Sequence, residues 1–545
     1  MSGVRYWPPE VPRDLAVPER SLWANLQIAA ARHSDKPAIV FGDQVVSYGQ
    51  LLAQTESLAA WLQQVAGVRR GDRVLLFAQN SPAFSAAYYA VLRADAMVVP
   101  VNAMSTADDL AWLAADSGAK VVIVGAELAE RALACSALRH VLVLTPSEGG
   151  PPLADARCTP WLQAMAAAHQ PAPHAAGPDD LCVLPYTSGT TGKPKGCRHT
   201  HRTMQSSLGA SAVWRSLQPD EVILAVAPMF HLLGMQNGLN LPILLGATVV
   251  MLPRWDRQAA AQLMGRYRVT FWAAPPTMVI DFFNQPGIEQ ADLSSLRRLV
   301  GGGAAMPEAV AAQLKQRCGI VYSEAFGMTE TASFLHCNPV GREKPQCLGV
   351  PTQHVDSRVI DPDTLQELPP GEVGELVTHA PQLMLGYWGG APDATSPADA
   401  TAFITLPGDT SGKRFFRTGD LCSVDDEGYF FMRDRLKRMI NASGFKVWPA
   451  EVENLLYAHP AIHEACVIAT PDARAGEAVK AVVVLKPEAR GITQAADIVA
   501  WARTHMAVYK APRVVAFVDH LPKSGTGKIL WRELQQAEQQ TGDPR

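Results

Sequence analysis

The segment Tyr186-Thr-Ser-Gly-Thr-Thr-Gly-Lys-Pro-Lys-Gly196 gathers the groups needed to hold a polyanion. Gly189 and Gly192 permit positive φ angles, so that backbone N–H groups can converge on phosphate oxygens. Thr187, Ser188, Thr190 and Thr191 add hydroxyl donors, and Lys193 and Lys195 add positive charge. A flexible Ser/Gly/Thr linker has a similar composition, but it has no need of a rigid Lys-Pro-Lys-Gly ending behind a buried strand. A Walker loop requires G-x-x-x-x-G-K-[ST]. Here Gly189 and Gly192 are too close, and Pro194 follows the lysine, so the P-loop kinases and ATPases are excluded.

Further constellations follow along the chain. His231 stands in Pro228-Met-Phe-His-Leu-Leu-Gly, either as a satisfied core histidine or as a ligand-facing one. Gly301-Gly-Gly-Ala-Ala-Met-Pro307 follows the strand-like Arg298-Leu-Val, and its glycines allow a close approach to a flat ligand or simply form a turn. Tyr322-Ser-Glu-Ala-Phe-Gly-Met-Thr-Glu330 ends in a carboxylate suited to a hard cation such as Mg²⁺, or to solvent. Asp420, in Phe416-Arg-Thr-Gly-Asp-Leu, can accept two hydroxyls, though Thr-Gly-Asp is also good turn chemistry. Asp434-Arg-Leu-Lys-Arg-Met-Ile440 is a basic run, and Pro522-Lys-Ser-Gly-Thr-Gly-Lys528-Ile a glycine-flanked lysine near the C-terminus.

Together, in this order and across roughly residues 30 to 530, these segments resemble the adenylate-forming superfamily of acyl-CoA synthetases, luciferases and peptide-synthetase adenylation domains. The resemblance implies the following roles. Residues 187–193 and Lys195 hold the triphosphate. Gly303, Ala304 and Ala305, with Glu324, Ala325 and Phe326, line the nucleotide, and the Phe326 ring stands where many relatives have tyrosine. His231 lies near the substrate carboxylate or gates its entry. Thr329 touches phosphate and Glu330 holds Mg²⁺. Asp420 takes the ribose hydroxyls, and Arg435 binds ribose or phosphate. Lys437 is the hinge of a mobile C-terminal lobe. Ser443, Gly444 and Lys446 line the pantetheine tunnel, and Glu451 matches an acidic family position or merely opens a helix. Lys528 sits between the acid and the α-phosphate. ATP, Mg²⁺ and coenzyme A (as substrate) are the implied small molecules.

These groups need a scaffold. Short β-rich runs, such as Asp72–Ala78, Lys120–Val124 and Glu221–Ala227, alternate with helical stretches such as Leu51–Ala66 and Ala259–Tyr267. That alternation predicts parallel sheets covered by helices. Leu181–Pro185 reads as the strand before the phosphate segment, and a helix is expected to start near Thr200. Gly389–Gly412 is read as a surface loop with no chemistry assigned. Ala450–Ala458 is helical, and Ala465–Ala469 and Ala478–Leu485 are strand-like. The fold expected is therefore α/β, with a large multi-subdomain N-terminal domain (1–433), a hinge (434–437) and a small C-terminal α/β domain (438–545).

A chain of 545 residues is too long for one core, and its 48% hydrophobic content is that of a globular protein. A formal charge of -4 gives no electrostatic footprint for nucleic acid. Prolines and charges break the N-terminal segment before a signal peptide could form, and no apolar run spans a membrane; Leu239–Pro253 is short and broken, better read as helix plus strand. The nine cysteines show no CxxC or metal spacing, which fits reduced thiols and a cytoplasmic location.

The expected reaction joins a carboxylic acid to coenzyme A through an acyl-adenylate. Gly327 leaves open a space that bulky residues fill in acetate-specific relatives. Met235, Phe271, Trp272, Met278 and Phe334 suggest an apolar pocket. The first argues for an acid larger than acetate, and the second favours a medium- or long-chain fatty acid, with an aryl acid as the alternative. Amino-acid-activating members of the resembled family carry an Asp near the His231 segment to pair the substrate ammonium, and Pro228 to Gly234 contains none, so the resemblance disfavours an amino acid. A carrier-protein acceptor and an inactive nucleotide-binding homologue are the remaining alternatives, and a homodimer is left open.

Overall fold

The computed structural model describes residues 6–144, 155–166, 170–187, 194–302, 306, 308–435, 438, 440–442, 445–472, 476–523 and 529–541. Four larger sheets organise the chain. The first is nine-stranded, and its inner strands (Pro37–Phe41, Thr248–Met251, Val222–Ala225, Phe271–Ala273, Arg298–Gly301 and Tyr322–Phe326) pair in parallel. The second is seven-stranded, centred on Arg73–Phe77, Met97–Pro100 and Val121–Gly125, with Leu181–Val183 beside Met97–Pro100. Strands such as Val-Val-Ile-Val-Gly are buried throughout because helices cover both faces, which explains their unbroken apolar sequence.

The expected parallel sheets are thus present. A five-stranded sheet of Asp356–Ile360, Gly374–His379, Phe403–Ile404, Phe415–Val424 and Phe430–Arg435 differs, being antiparallel throughout. Its Asp356–Ile360 strand alternates half-buried and buried residues before its apolar end, as one-sided sheets do. The C-terminal domain has its own mixed sheet, in which Ile462–Asp472 pairs antiparallel and Val514–Phe517 pairs parallel to Gly476–Leu485. Its core is separate, built on Ile440, Val452, Val467, Val483 and Ile498. The change of sheet falls between Arg435, the end of one strand, and Ile440, the start of the next.

One local reading shifts and another holds. Gly389–Gly412 is largely exposed, yet it carries the short helix Asp399–Ala402 and the strand Phe403–Ile404, and Asp399 is buried. Leu239–Pro253 contains the helix Leu241–Leu245 and the strand Thr248–Met251, and among the described residues no helix is long and apolar enough to cross a membrane. Cys182 and Cys466 are buried free thiols.

Candidate active site

Open parallel sheets present ligands at the carboxyl ends of their strands, where chain direction lets loops diverge. Four of the motif segments follow strands of this kind. Strand Leu181–Val183 leads into the phosphate segment, Val222–Ala225 into the His231 segment, Arg298–Gly301 into the glycine turn, and Tyr322–Phe326 into Thr329 and Glu330.

The phosphate segment is a hairpin. Tyr186 and Thr187 pair with Gly196 and Lys195. Ser188, Gly189, Thr190, Thr191, Gly192 and Lys193 lie outside the described residues. The hairpin base is clamped from two sides: Tyr186 Oη donates to Asp116 Oδ2 at 2.6 Å, and Trp388 N–H donates to the Gly196 carbonyl at 2.7 Å. The helix His201–Trp214 then starts at the predicted place, because Thr200 caps it by accepting the Thr203 N–H.

Thr329 opens the 3₁₀ turn Thr329–Thr331. The buried His199 Nε2–H donates to the Thr329 carbonyl at 2.7 Å and its Nδ1 faces Thr203 Oγ1 at 3.1 Å, so the ring is held neutral in one tautomer. Burial lowers its pKa to about 4. Glu330 is 7% exposed, and burial raises its pKa. Tyr387 Oη donates to Glu330 Oε1 at 2.9 Å, while the Lys195 ammonium lies 5.2 Å over the Tyr387 ring. Tyr387 is held in turn by its N–H, which donates to Asp399 Oδ1 at 2.8 Å. Tyr387, Asp399 and His199 were not anticipated from the sequence. Tyr387 and Asp399 flank the Gly389–Gly412 boundary, and only their contacts across the fold reveal them.

Asp420 is fully buried, and neither carboxylate oxygen has a hydrogen-bond partner. Arg435 Nε lies 3.0 Å from Asp420 Oδ1 as an ion pair without hydrogen-bond alignment, the two residues being cross-strand partners. An orphaned buried carboxylate is costly unless a donor arrives. A pair of ribose hydroxyls fits that need. Glu330 has one side-chain donor and a charge that burial disfavours, so a cation beside it is favoured. Among the described residues no group of three or more His, Cys, Asp or Glu could hold a metal alone. A cation held by Glu330 would draw the rest of its shell from other oxygens, those of water or a ligand.

Glu324 and Phe326 point to one face of their strand and Ala325 to the other. Glu324 Oε1 accepts the Met306 N–H at 3.3 Å, and burial pushes its pKa up to about 8. Phe326 is 8% exposed and packs with Leu335, Leu376 and Phe430, its ring centroid 5.6 Å from that of His336.

Two sequence readings are corrected. A Cβ at Gly301 would strike the Ala274 carbonyl and the Tyr322 hydroxyl, and one at Gly302 the Ala325 carbonyl. These glycines admit the protein's own strands rather than a flat ligand; Gly303, Ala304 and Ala305 lie outside the described residues. A Cβ at Gly327 would run into the Ser333 carbonyl, so its missing side chain opens no room for an acyl chain. The five residues of the expected apolar pocket also divide. Met235 and Phe271 belong to one core, Trp272 and Met278 to that on the opposite face of the sheet, and Phe334 to a third.

His231 is exposed, not buried in the core, and caps the helix Leu232–Met235 with its Nδ1 accepting the Leu233 N–H at 3.3 Å. That helix runs on through a π turn, Gln236–Asn240, into Leu241–Leu245. Lys437, Ser443, Gly444 and Lys528 lie outside the described residues, and Lys446 is described as part of the strand Phe445–Val447. Asp434 Oδ2 accepts the Ala450 N–H at 2.8 Å, tying the last strand of the large lobe to the first helix of the small one. Glu451 sits in the first turn of that helix and pairs with Lys510 at 2.5 Å.

Comparison with known proteins places this arrangement. The AMP-binding enzyme family matches residues 26–388, and the AMP-binding enzyme C-terminal domain matches residues 451–528. A long-chain-fatty-acid–CoA ligase of Bacillus subtilis (strain 168) is 32% identical over 559 aligned residues, covering 98% of this chain and 97% of that protein. A feruloyl-CoA synthase of Amycolatopsis sp is 38% identical, covering 91% and 95%. The crystal structure of ATP-bound MatB from Rhodopseudomonas palustris superposes with a TM-score of 0.85 at 28% identity, covering 96% of this chain and 100% of that one.

Proposed function

The chain belongs to the AMP-binding enzyme family as an ATP-dependent, AMP-forming acyl-CoA ligase, and from that premise we propose how its residues divide the work. A carboxylate is a poor electrophile because its leaving group would be oxide. Attack on the α-phosphate of ATP, with release of pyrophosphate, gives an acyl-adenylate whose leaving group is AMP, and the coenzyme A thiol then displaces it. Both first reactants are anions, so the barrier is electrostatic and positional.

The observation that carries this reading is the buried, unsatisfied Asp420 carboxylate beside Arg435, on the same side of the fold as Glu330 and Lys195. Asp420 accepts the ribose hydroxyls and Arg435 adds a cation at the ribose or a phosphate. The hairpin from Thr187 through Ser188, Gly189, Thr190, Thr191, Gly192 and Lys193 to Lys195 holds the triphosphate. Glu330 would hold Mg²⁺, which when bound would supply positive charge beside the triphosphate. Thr329, fixed by His199, faces the phosphates, and Tyr387 orients Glu330. His231, exposed at its helix N-terminus, lies at the acid's carboxyl end. Gly303, Ala304, Ala305, Glu324, Ala325 and Phe326 border the nucleotide.

Lys528 supplies a fixed cation between the acid and the α-phosphate and must leave before the thiol enters. The small lobe (438–545) turns on Lys437 against the large one (1–433), bringing Ser443, Gly444 and Lys446 to the pantetheine arm. A cytoplasmic location follows from the substrates. Relatives divide between fatty and aryl acids, and neither the space at Gly327 that argued for a larger acid nor the shared apolar pocket that favoured a fatty one holds in the fold.

The test is a ligation assay with purified enzyme, Mg-ATP, coenzyme A and a panel of fatty and aromatic acids, scored for AMP and pyrophosphate. Release of both, dependent on the acid, is expected. Pyrophosphate without coenzyme A-dependent AMP would point to a carrier-protein acceptor, and neither product would overturn the reading.

A further inference from the structure

Arg215 is 4% exposed, and it closes the C-terminal end of the helix His201–Trp214. Its Nη1 donates to Ser211 Oγ at 2.6 Å and to Asn237 Oδ1 at 3.2 Å, but its Nε is buried without a hydrogen-bond partner. The guanidinium lies 4.6 Å over the Phe334 ring and 5.8 Å over that of Phe271. Burial lowers its pKa, the Cys337 thiol opposes that, and the charge of Arg298 adds to it. Arg298 is the in-register neighbour of Phe271 on the adjacent parallel strand, so both side chains leave the same face of the sheet. Its Nε is likewise buried without a partner. Among the described residues no carboxylate pairs with either arginine.

A buried guanidinium without a counter-ion is strongly unfavourable. Two aromatic faces and a helix C-terminus offset part of that. A second cation nearby works the other way. The arrangement is balanced only if an anion or a strong acceptor arrives.

The position of Arg215 identifies that arrival. The chain runs from Thr329 and Glu330 through Ala332 and Ser333 directly to Phe334, whose ring lies under the guanidinium. A second path runs from His231, along its helix and π turn, to Asn237, which accepts from the same guanidinium. Both stretches of chain begin at the reacting end proposed above and meet at Arg215. The second is six residues long, roughly 9 Å at the helical rise.

We propose that Arg215, supported by Asn237, Ser211 and Arg298, is a specificity-determining residue that recognises an oxygen at the far end of the acid, about 9 Å from its carboxyl group. The substrate class is a carboxylic acid with a distal acceptor, supplied by a phenolic aryl acid or a dicarboxylic acid, rather than a plain hydrocarbon chain. This rests on the ligase reading and deepens it.

The experiment compares matched acids on the full-length enzyme with Mg-ATP and coenzyme A: 4-hydroxycinnamate against cinnamate, and octanedioate against octanoate. At least one oxygenated acid is expected to exceed its partner roughly ten- to hundredfold in kcat/KM, the range of a charge-assisted hydrogen bond. Which pair shows the preference identifies the source of the oxygen. Arg215→Met should bring that pair to within about threefold of each other, a ratio unaffected by any general loss of activity. Arg298→Met, on a partly exposed side chain, should shrink the same ratio if Arg215→Met does not fold. Equal use of both members of both pairs by the wild type, or a ratio unchanged in a folded variant, overturns the inference while leaving the ligase reading intact. Failure of every acid in pyrophosphate exchange would instead overturn the ligase reading itself.

Discussion

Two regions of the large lobe bury unbalanced charge, and they do so with opposite signs. Around the nucleotide site lie Asp420 and Glu330, both 7% exposed or less. Around Phe334 lie Arg215 and Arg298, without a carboxylate partner among the described residues. One stretch of chain, Tyr322 to Phe334, passes from the first region to the second. Burial of a lone charge is unfavourable, so each region is complete only with a ligand of complementary character. The acidic region calls for cations and hydroxyls, the basic one for an oxygen acceptor. On the readings proposed above, the difference separates the nucleotide and cation used with every acid from the group by which the enzyme chooses among acids.

The comparison breaks most sharply at the acidic region. Glu330→Gln should lower adenylation about a hundredfold or more, as does the loss of a preorganised electrostatic contact elsewhere, and acid-dependent pyrophosphate exchange at saturating ATP measures it. Lys528→Ala should cost a similar factor, about a hundredfold, in the single-turnover rate of adenylate formation. Near wild-type rates in either variant would remove that residue from the reacting centre. Asp420→Asn, a smaller change, should raise KM for ATP about tenfold through the loss of a charged acceptor, while the ratios between matched acids stay as they were. A shift in those ratios would mean that the two regions are not separate.

Glu324 sharpens the comparison through pH. Its folded pKa of about 8 lies above its ordinary value of 4.5, so the native protein keeps a proton that the unfolded chain releases between those values. Stability from this group is therefore full below about 4.5 and is lost as pH rises through about 8, on the order of a few kcal/mol. In Glu324→Gln the fall should be largely absent when Tm is followed from acid to alkaline pH. Parallel curves for the two proteins would contradict the assignment. Tyr387→Phe should have the smallest effect, a loss of activity of a few-fold from one hydrogen bond worth about 1 kcal/mol, and a hundredfold loss would give the hydroxyl a larger role than orienting Glu330.

Much of the acidic region could be read from the sequence, and little of the basic one. Local chemistry wrote the first. The helix cap at Thr200, the strand before Tyr186 and the carboxylates at 330 and 420 sit within short segments whose residue types and spacing already restrict their conformation. His199 acts on Thr329, which lies 130 residues away, and Tyr387 on Glu330, 57 away, so neither pairing leaves a local pattern. Arg215 looks like any basic residue closing a helix until Phe271 and Phe334 fold around it. Gly327 misled for a related reason. A missing side chain shows that something comes close, and only the fold shows that it is the Ser333 carbonyl rather than a ligand. The five-stranded sheet escaped in part because its Asp356–Ile360 strand alternates half-buried and buried residues and does not repeat the apolar runs of the parallel sheets.

The π turn at Gln236–Asn240 has an evolutionary consequence. Such a turn holds one residue more than α geometry allows, and it can be gained or lost by a single-codon insertion or deletion. Removing one residue there would swing Asn237 and its successors around the helix axis by about 100°, while His231 at the helix entrance kept its place. The far wall of the acid site can therefore be re-indexed in one genetic step, and a lineage could exchange one class of acid for another with its adenylating chemistry untouched.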